Sequence, residues 1–165
     1  MISKITPCLW FDTQGEEAAR FYVSIFKNSR IVEISYYPDA GKEVHGNDAG
    51  DVMLVSFELE GQSFTALNGG PQFKFTEAVS LQIECETQEE IDYYTEKLSE
   101  GGDPEAHQCG WVKDKFGLSW QVFPNIIPRI FMDADKEKSR RAFDAMLKMK
   151  KLDIAALKRA FEGVK

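Results

Sequence analysis

Few side chains in this sequence could do chemistry, and most of them are neutral. Alternation with a period of two along the predicted strands places nine polar, thiol, aliphatic and aromatic residues on one sheet face, and Trp111 joins them from a neighbouring strand. Hydroxyl and amide groups donate and accept hydrogen bonds, and aromatic rings supply apolar contact. We therefore expect a cavity for a small apolar or aromatic molecule. The nine residues are Thr6, Cys8, Trp10, Thr65, Leu67, Ser80, Gln82, Gln121 and Phe123.

No residue can be assigned a catalytic role from the sequence. Glu84 is the only carboxylate on this face of the matched strands, and it could act as a general base if burial raised its pKa. Cys8 could act as a nucleophile, but no histidine partner for it is evident in the sequence. His45 and His107 fall in predicted loop or edge positions, where we expect them to be exposed and inert. Whether the protein is an enzyme stays open.

Composition and charge narrow the function classes. The chain has 165 residues and a net charge of −7, but residues 129–165 carry eleven basic and six acidic residues while the rest is strongly acidic. An acidic body repels phosphates, so we expect no nucleic-acid partner and instead attraction between the basic tail and an acidic body, its own or a partner's. The absence of long apolar runs predicts no membrane partner, and Met1–Ile5 lacks the apolar run of a signal peptide; a cytoplasmic protein is expected.

The three cysteines give no metal or disulfide pattern. The chain has three cysteines, Cys8, Cys85 and Cys109, and no two of them have CxxC spacing. An odd number of cysteines cannot all pair in disulfides within one chain. We expect reduced thiols, at least two of them buried.

An internal repeat organises the chain. Asp12-Thr13-Gln14 is echoed by Glu86-Thr87-Gln88, and each opens a helix-like stretch after an apolar run. Later, Gly61-Gln62-Ser63-Phe64 is echoed by Gly117-Leu118-Ser119-Trp120. Two matches in the same order predict a duplication.

The elements of each half have the order strand, helix, strands, which predicts an α+β fold of two βαβββ modules with a C-terminal helical extension. We expect helices near 15–26 and 88–99, the second capped by Thr87 with Glu90 three residues later. Residues 39–50 read as a mobile loop. Strands are expected near 4–11, 30–37, 52–60, 62–68, 78–85, 104–108, 109–114 and 118–123.

The predicted domain boundaries follow from the repeat. Residues 1–125 form the duplicated domain, with repeats over about 1–70 and 76–125, and residues 126–165 form the extension. Two helical stretches are expected in this tail, the later one capped by Asp153. Their apolar stripes predict packing against the body or a second subunit.

The chain resembles the PhnB-like family, often labelled a demethylubiquinone methyltransferase domain, within the glyoxalase or vicinal-oxygen-chelate superfamily. Four segments carry the resemblance: 6–12 with 17–22, 67–71, the run Cys109-Gly110-Trp111 to Phe123-Pro124, and 145–154. The resemblance implies a glyoxalase/bleomycin-resistance-like fold and a homodimer.

Superfamily enzymes hold a divalent metal with one residue from each of four strands, and the repeat alignment places these positions at Thr6, Thr65, Ser80 and Gln121. Neutral hydroxyls and an amide are poor ligands for such an ion, so we expect no metal and no cofactor. The preferred function is metal-free binding of a small molecule. The alternatives are an enzyme of the same superfamily (a metal-dependent lyase, isomerase or dioxygenase, or the methyltransferase of the family label) and a structural or regulatory homodimer.

Overall fold

A computed structural model describes residues 5–164 of the protein. Residues 1–4, which include the predicted start of the first strand at Lys4, lie outside the described residues. The chain divides into two compact units, Met1–Phe75 and Thr76–Lys165.

The first unit is a four-stranded sheet with one main helix. Strand β1 runs parallel to β4, the other neighbours are antiparallel, and the order is β1-β4-β3-β2. The elements are β1 (Cys8–Phe11), α1 (Gly15–Ile25), β2 (Arg30–Tyr36), α2 (Lys42–His45), β3 (Val52–Leu59) and β4 (Gln62–Asn68).

Helix α1 forms because small and aromatic residues recur at helical spacing on one side. Ala18, Ala19 and Tyr22 are fully buried, so this side packs on the sheet. Gln14 supplies no side-chain cap. Instead the Gly15 amide donates to Asn68 Oδ1 at 2.7 Å, so the end of β4 caps the start of α1.

The described residues of the second unit form three strands where those of the first form four, so one strand of the predicted second βαβββ module is missing, and the unit also contains the tail. Its sheet has the order β5-β7-β6, with β5 parallel to β7 and β6 antiparallel to β7. The elements are β5 (Ser80–Cys85), α3 (Gln88–Ser99), a 3-10 helix (Pro104–Ala106), β6 (Trp111–Lys113), β7 (Ser119–Pro124), α4 (Ile127–Phe131), α5 (Lys136–Met146) and α6 (Ile154–Glu162).

The strand register agrees with the alignment of the internal repeat. The repeat aligns β1 with β5 and β4 with β7, so that Cys8 corresponds to Gln82 and Thr65 corresponds to Gln121. The observed pairs agree with this alignment, because Cys8 lies opposite Thr65 and Gln82 lies opposite Gln121. The residue that follows β4 and the residue that follows β7 also make equivalent backbone hydrogen bonds. Gly69 N donates to Phe11 O at 2.9 Å, and Asn125 N donates to Cys85 O at 2.8 Å. The two halves therefore share one backbone pattern.

The tail packs on the second half. A buried cluster of Ile130, Ala142, Leu152 and Leu157 lies among its helices, and Phe123 of β7 packs against it. Backbone bonds also join the two, because Cys109 N donates to Met149 O and Gly110 N donates to Lys150 O at 2.8 and 2.9 Å. The tail thus packs against the second half of the same chain.

One side chain clips the tail to helix α3. The Gln88 amide group donates to Leu152 O at 3.0 Å, and its oxygen accepts from Ile154 N at 2.9 Å. The primary amide therefore pairs with both backbone groups of the segment that enters α6.

Several local predictions are confirmed. Thr87 and Glu90 form the predicted capping box, Asp153 caps α6 by accepting from Ala156 N at 2.7 Å, and residues 60–61 turn the hairpin between β3 and β4. The mixed α+β class is also confirmed.

Other local predictions are wrong. Residues 104–106 form a 3-10 helix instead of a strand, because Pro104 lacks an amide hydrogen for a ladder and Asp103 Oδ1 accepts from Glu105 N at 2.9 Å. The predicted irregular loop contains α2, and the tail has three described helices where two were expected.

The expected burial of two cysteines and the expected exposure of His45 are also wrong. Cys85 is buried, Cys109 is half-buried and Cys8 is exposed, so one thiol is buried where at least two were expected. His45 is half-buried and stacks on Tyr37, with ring centroids 4.3 Å apart. Across residues 5–164, no helix is long and apolar enough to span a membrane.

Candidate functional site

A row of three side chains crosses the second sheet. Gln121 of β7 lies opposite Gln82 of β5 on one side and opposite Trp111 of β6 on the other. Residues directly opposite each other share a face of the sheet. Two amides and an indole therefore lie side by side on the face away from the buried Val112, Trp120 and Val122.

Gln121 is held by a neighbour on the same face. Its Nε2 donates to Ser80 Oγ at 2.7 Å, and both residues are half-buried. The bond uses one amide hydrogen and leaves the carbonyl oxygen and the second hydrogen for a ligand. The contact thus orients the Gln121 amide and leaves part of its hydrogen-bonding capacity for a ligand.

The edge of this face carries a charge pair that the sequence analysis missed. Lys113, two residues after Trp111 on β6, is half-buried and forms an ion pair with Glu77. The pairing lowers the pKa of the Glu77 carboxyl through its hydrogen bond to Lys113. Alternation from Trp111 would have placed Lys113 on this face, so the signal was present in the sequence.

Phe123 lies at the other end of the face. It is half-buried, but it packs against the helical tail cluster. Its ring therefore supports the tail, and the open part of the face is the row of Gln82, Gln121 and Trp111. Glu84, the candidate general base, is exposed opposite Phe123.

The corresponding face of the first sheet carries the other predicted residues except Thr6, which precedes β1. Cys8 lies opposite Thr65, and Trp10 lies opposite Leu67. Cys8 is exposed, whereas Thr6, Trp10, Thr65 and Leu67 are half-buried. Each pair shares a face of the first sheet, as the alternation predicted.

Trp10 is packed by its own chain. Its Nε1 donates to Gly70 O at 2.8 Å, and Phe73 meets it edge to face at 4.9 Å between centroids. A Cβ atom on Gly69 would lie 2.3 Å from the indole, so only glycine fits beside the ring. Close packing on Trp10 thus explains Gly69, whereas Gly70 has a φ of +96°, in the left-handed region that favours glycine.

The sequence profile of the family described as 3-demethylubiquinone-9 3-methyltransferase matches residues 3–123. A structure described as a 3-demethylubiquinone-9 3-methyltransferase, PhnB protein, from Bacillus cereus is 39% identical, covers 74% of this chain and 99% of its own, and superposes with a TM-score of 0.62. The chain belongs to the PhnB-like family.

More distant structures share the fold of this PhnB-like chain. A protein from Pseudomonas aeruginosa is 19% identical over 74% of this chain and 98% of its own, with a TM-score of 0.58. A fosfomycin resistance protein, FosX, from Listeria monocytogenes is 16% identical over 81% of this chain and 100% of its own, with a TM-score of 0.52. These likenesses establish the glyoxalase/bleomycin-resistance-like fold alone. A comparison with curated proteins finds no match.

The residues at the four positions that the repeat alignment assigns to the superfamily metal do not fit a tightly held divalent ion. Thr6, Thr65, Ser80 and Gln121 offer no imidazole, thiolate or carboxylate, and Gln121 donates its amide to Ser80. Within residues 5–164, no group of three His, Cys, Asp or Glu side chains could hold a metal.

The Gly69-Gly70 turn does not suit binding of the methyl donor that the family description implies. A donor cradle of the common kind is a glycine-rich turn that opens a helix. The Gly69-Gly70 turn packs on Trp10 instead, and the next helix in the chain is α3 at Gln88.

Proposed function

We propose that this PhnB-like protein binds a small, flat, uncharged molecule on the second sheet, without a resident metal. The observation that carries the proposal is the Gln121–Ser80 hydrogen bond, which fixes a half-buried amide beside the Trp111 indole. An oriented amide next to an aromatic surface suits an aromatic ligand that carries a carbonyl or hydroxyl group. Apolar contact supplies the affinity, and the amide selects the orientation.

The neutrality of the row supports an uncharged ligand. A buried charge without a partner is costly, and the cation nearest in register, Lys113, is already paired with Glu77. The row of Gln82, Gln121 and Trp111 therefore offers hydrogen bonds and carries no charge of its own.

The experiment is a ligand-observed NMR screen of phenols, quinones and aromatic amides against protein treated with a chelator. We expect hits whose affinity falls about 5- to 30-fold in Gln121→Leu, because a ligand atom loses a hydrogen bond of about 1–2 kcal/mol. Gln62→Leu is the matched control, because Gln62 is exposed on β4 of the first unit. Hits that require added metal, or that bind both variants equally, would refute the proposal.

A further inference from the structure

The helical tail contains a cavity of its own, apart from the strand face described above. It has a volume of about 370 Å³ and is lined by residues of α4 and α6 and the segments beside them. Its apolar floor is Ile126, Ile130 and Phe161, and all three belong to the tail cluster or pack against it. The volume lies in the range of roughly 300–1,000 Å³ typical of ligand pockets.

Two cations line this cavity without a partner. Arg129 of α4 and Lys158 of α6 are exposed, and neither forms a hydrogen bond or ion pair within the part of the chain that the structure describes. Guanidinium and ammonium groups beside an apolar floor are the groups that bind a carboxylate.

The two acidic residues of the lining are already engaged. Glu162 accepts from Lys138 Nζ at 3.1 Å, and the same Nζ lies 5.2 Å from the centroid of the Phe161 ring. Asp133 Oδ1 accepts from Asp135 N at 2.9 Å. The lining itself carries two positive and two negative side chains. Lys138, which lies outside the lining, compensates Glu162, so the lining together with Lys138 has a net charge of +1.

We infer that this cavity binds a free aliphatic carboxylate, with its chain on the apolar floor and its head group between Arg129 and Lys158. Charge complementarity selects an anion, and the apolar floor selects one with a hydrocarbon body. The family profile ends at residue 123, so the residues that line this cavity lie beyond the part of the chain that the profile matches.

The test uses decanoate as the probe and decanol as its uncharged analogue, with the full-length protein in calorimetry. We expect decanoate to bind at least tenfold more tightly than decanol, and the double variant Arg129→Gln/Lys158→Gln to remove that preference. The matched control is Lys148→Gln/Lys150→Gln, which removes the same charge from exposed lysines of the α5–α6 connection that do not line the cavity. The control should bind decanoate within twofold of the natural protein.

Methyl NMR shifts at Ile126 and Ile130 locate the ligand, and we expect both to move on decanoate addition. Equal affinity for decanoate and decanol, or equal loss in both double variants, would overturn the inference. So would binding to phosphatidylglycerol vesicles with no binding of free decanoate, because the positive surface would then serve a membrane and not a free anion.

Discussion

At the scale of single residues, Cys85 shows how burial sets reactivity. It is 1% exposed at the end of β5, and burial raises the pKa of its thiol to about 12. The thiolate is the reactive form, so the native protein holds this sulfur inert. Cys8, by contrast, is exposed on β1.

We expect a colorimetric disulfide reagent at pH 8 to label Cys8 quickly and Cys85 only after unfolding. The folded pKa of Cys85 lies above the unfolded value, so its protonated form stabilises the fold below pH 9 and this contribution is lost as the pH rises toward 12. Peptide mapping of labelled sites, with Cys8→Ser as the control, checks the assignment. Fast native labelling of Cys85 would contradict it.

Asp114 is a second residue whose side chain decides local structure. It is 2% exposed, and its carboxylate accepts from Phe116 N, Leu118 N and the Trp120 indole at 2.9, 3.0 and 2.9 Å. These bonds shape the turn between β6 and β7 and fix a core aromatic ring.

Asp114→Ala should lower the free energy of unfolding by about 2–4 kcal/mol, because three donors lose their acceptor and two lie in buried contacts. Asp103→Ala removes one exposed bond to Glu105 N, so we expect a loss of about 1 kcal/mol or less. Urea denaturation measures both. Equal losses would mean that burial of the Asp114 network is not what stabilises the turn.

At the scale of elements, the contact between the β6–β7 hairpin and the tail depends on Gly110. Its φ is +84°, and a Cβ atom there would lie 2.6 Å from Val122 O. Gly117, in the turn at the other end of β6, has φ +87° and open space around it. The two glycines share a backbone conformation and differ in crowding.

Gly117→Ala should therefore cost about 1–2 kcal/mol, the penalty of a left-handed residue. Gly110→Ala should cost clearly more, because the collision adds to that penalty and displaces Leu152, which lies 3.0 Å from the added atom. Thermal unfolding compares the two variants. A Gly110→Ala variant as stable as Gly117→Ala would show that the hairpin can shift away from the tail.

The sequence predicts the structure well where a local pattern, such as alternation along a strand, decides which face a side chain occupies. Alternation placed Trp120 and Val122 in the core and Gln82 and Gln121 on the opposite face, and the repeat predicted the register that the parallel pairs adopt. Helix α4 was missed, although Pro128 near its first turn is a common start signal.

The packing of Phe123 could not be predicted in this way. Alternation gives the face of a side chain, but the partner on that face comes from helices beyond residue 126, and no local pattern records which helix meets which strand.

At the scale of the whole molecule, the tail leaves apolar side chains on its surface. Phe143 and Leu147 are 43% and 47% exposed, one helical turn apart at the end of α5. Contact with a second copy would cover them, and the surrounding basic residues would meet an acidic body. We propose a homodimer on this basis.

Light scattering at micromolar concentration should give twice the mass of one chain, and Phe143→Ser/Leu147→Ser should shift it toward one chain. Val32→Ser/Tyr36→Ser is the matched control, because these exposed residues lie on the edge strand β2 of the first unit. A natural protein with the mass of one chain would contradict the proposal. So would equal loss of mass in both double variants.

The clip at Gln88 links the start of the second half to the end of the chain, and this sets an order of events during synthesis. The backbone groups that Gln88 binds belong to a segment up to 66 positions later. At about 5–20 residues per second, a ribosome needs roughly three to thirteen seconds to add that stretch. Until then Gln88 lacks these two hydrogen-bond partners. Every strand pairing that the structure describes in the first sheet lies between residues 8 and 68, so all the residues of those pairs have been synthesised before α3.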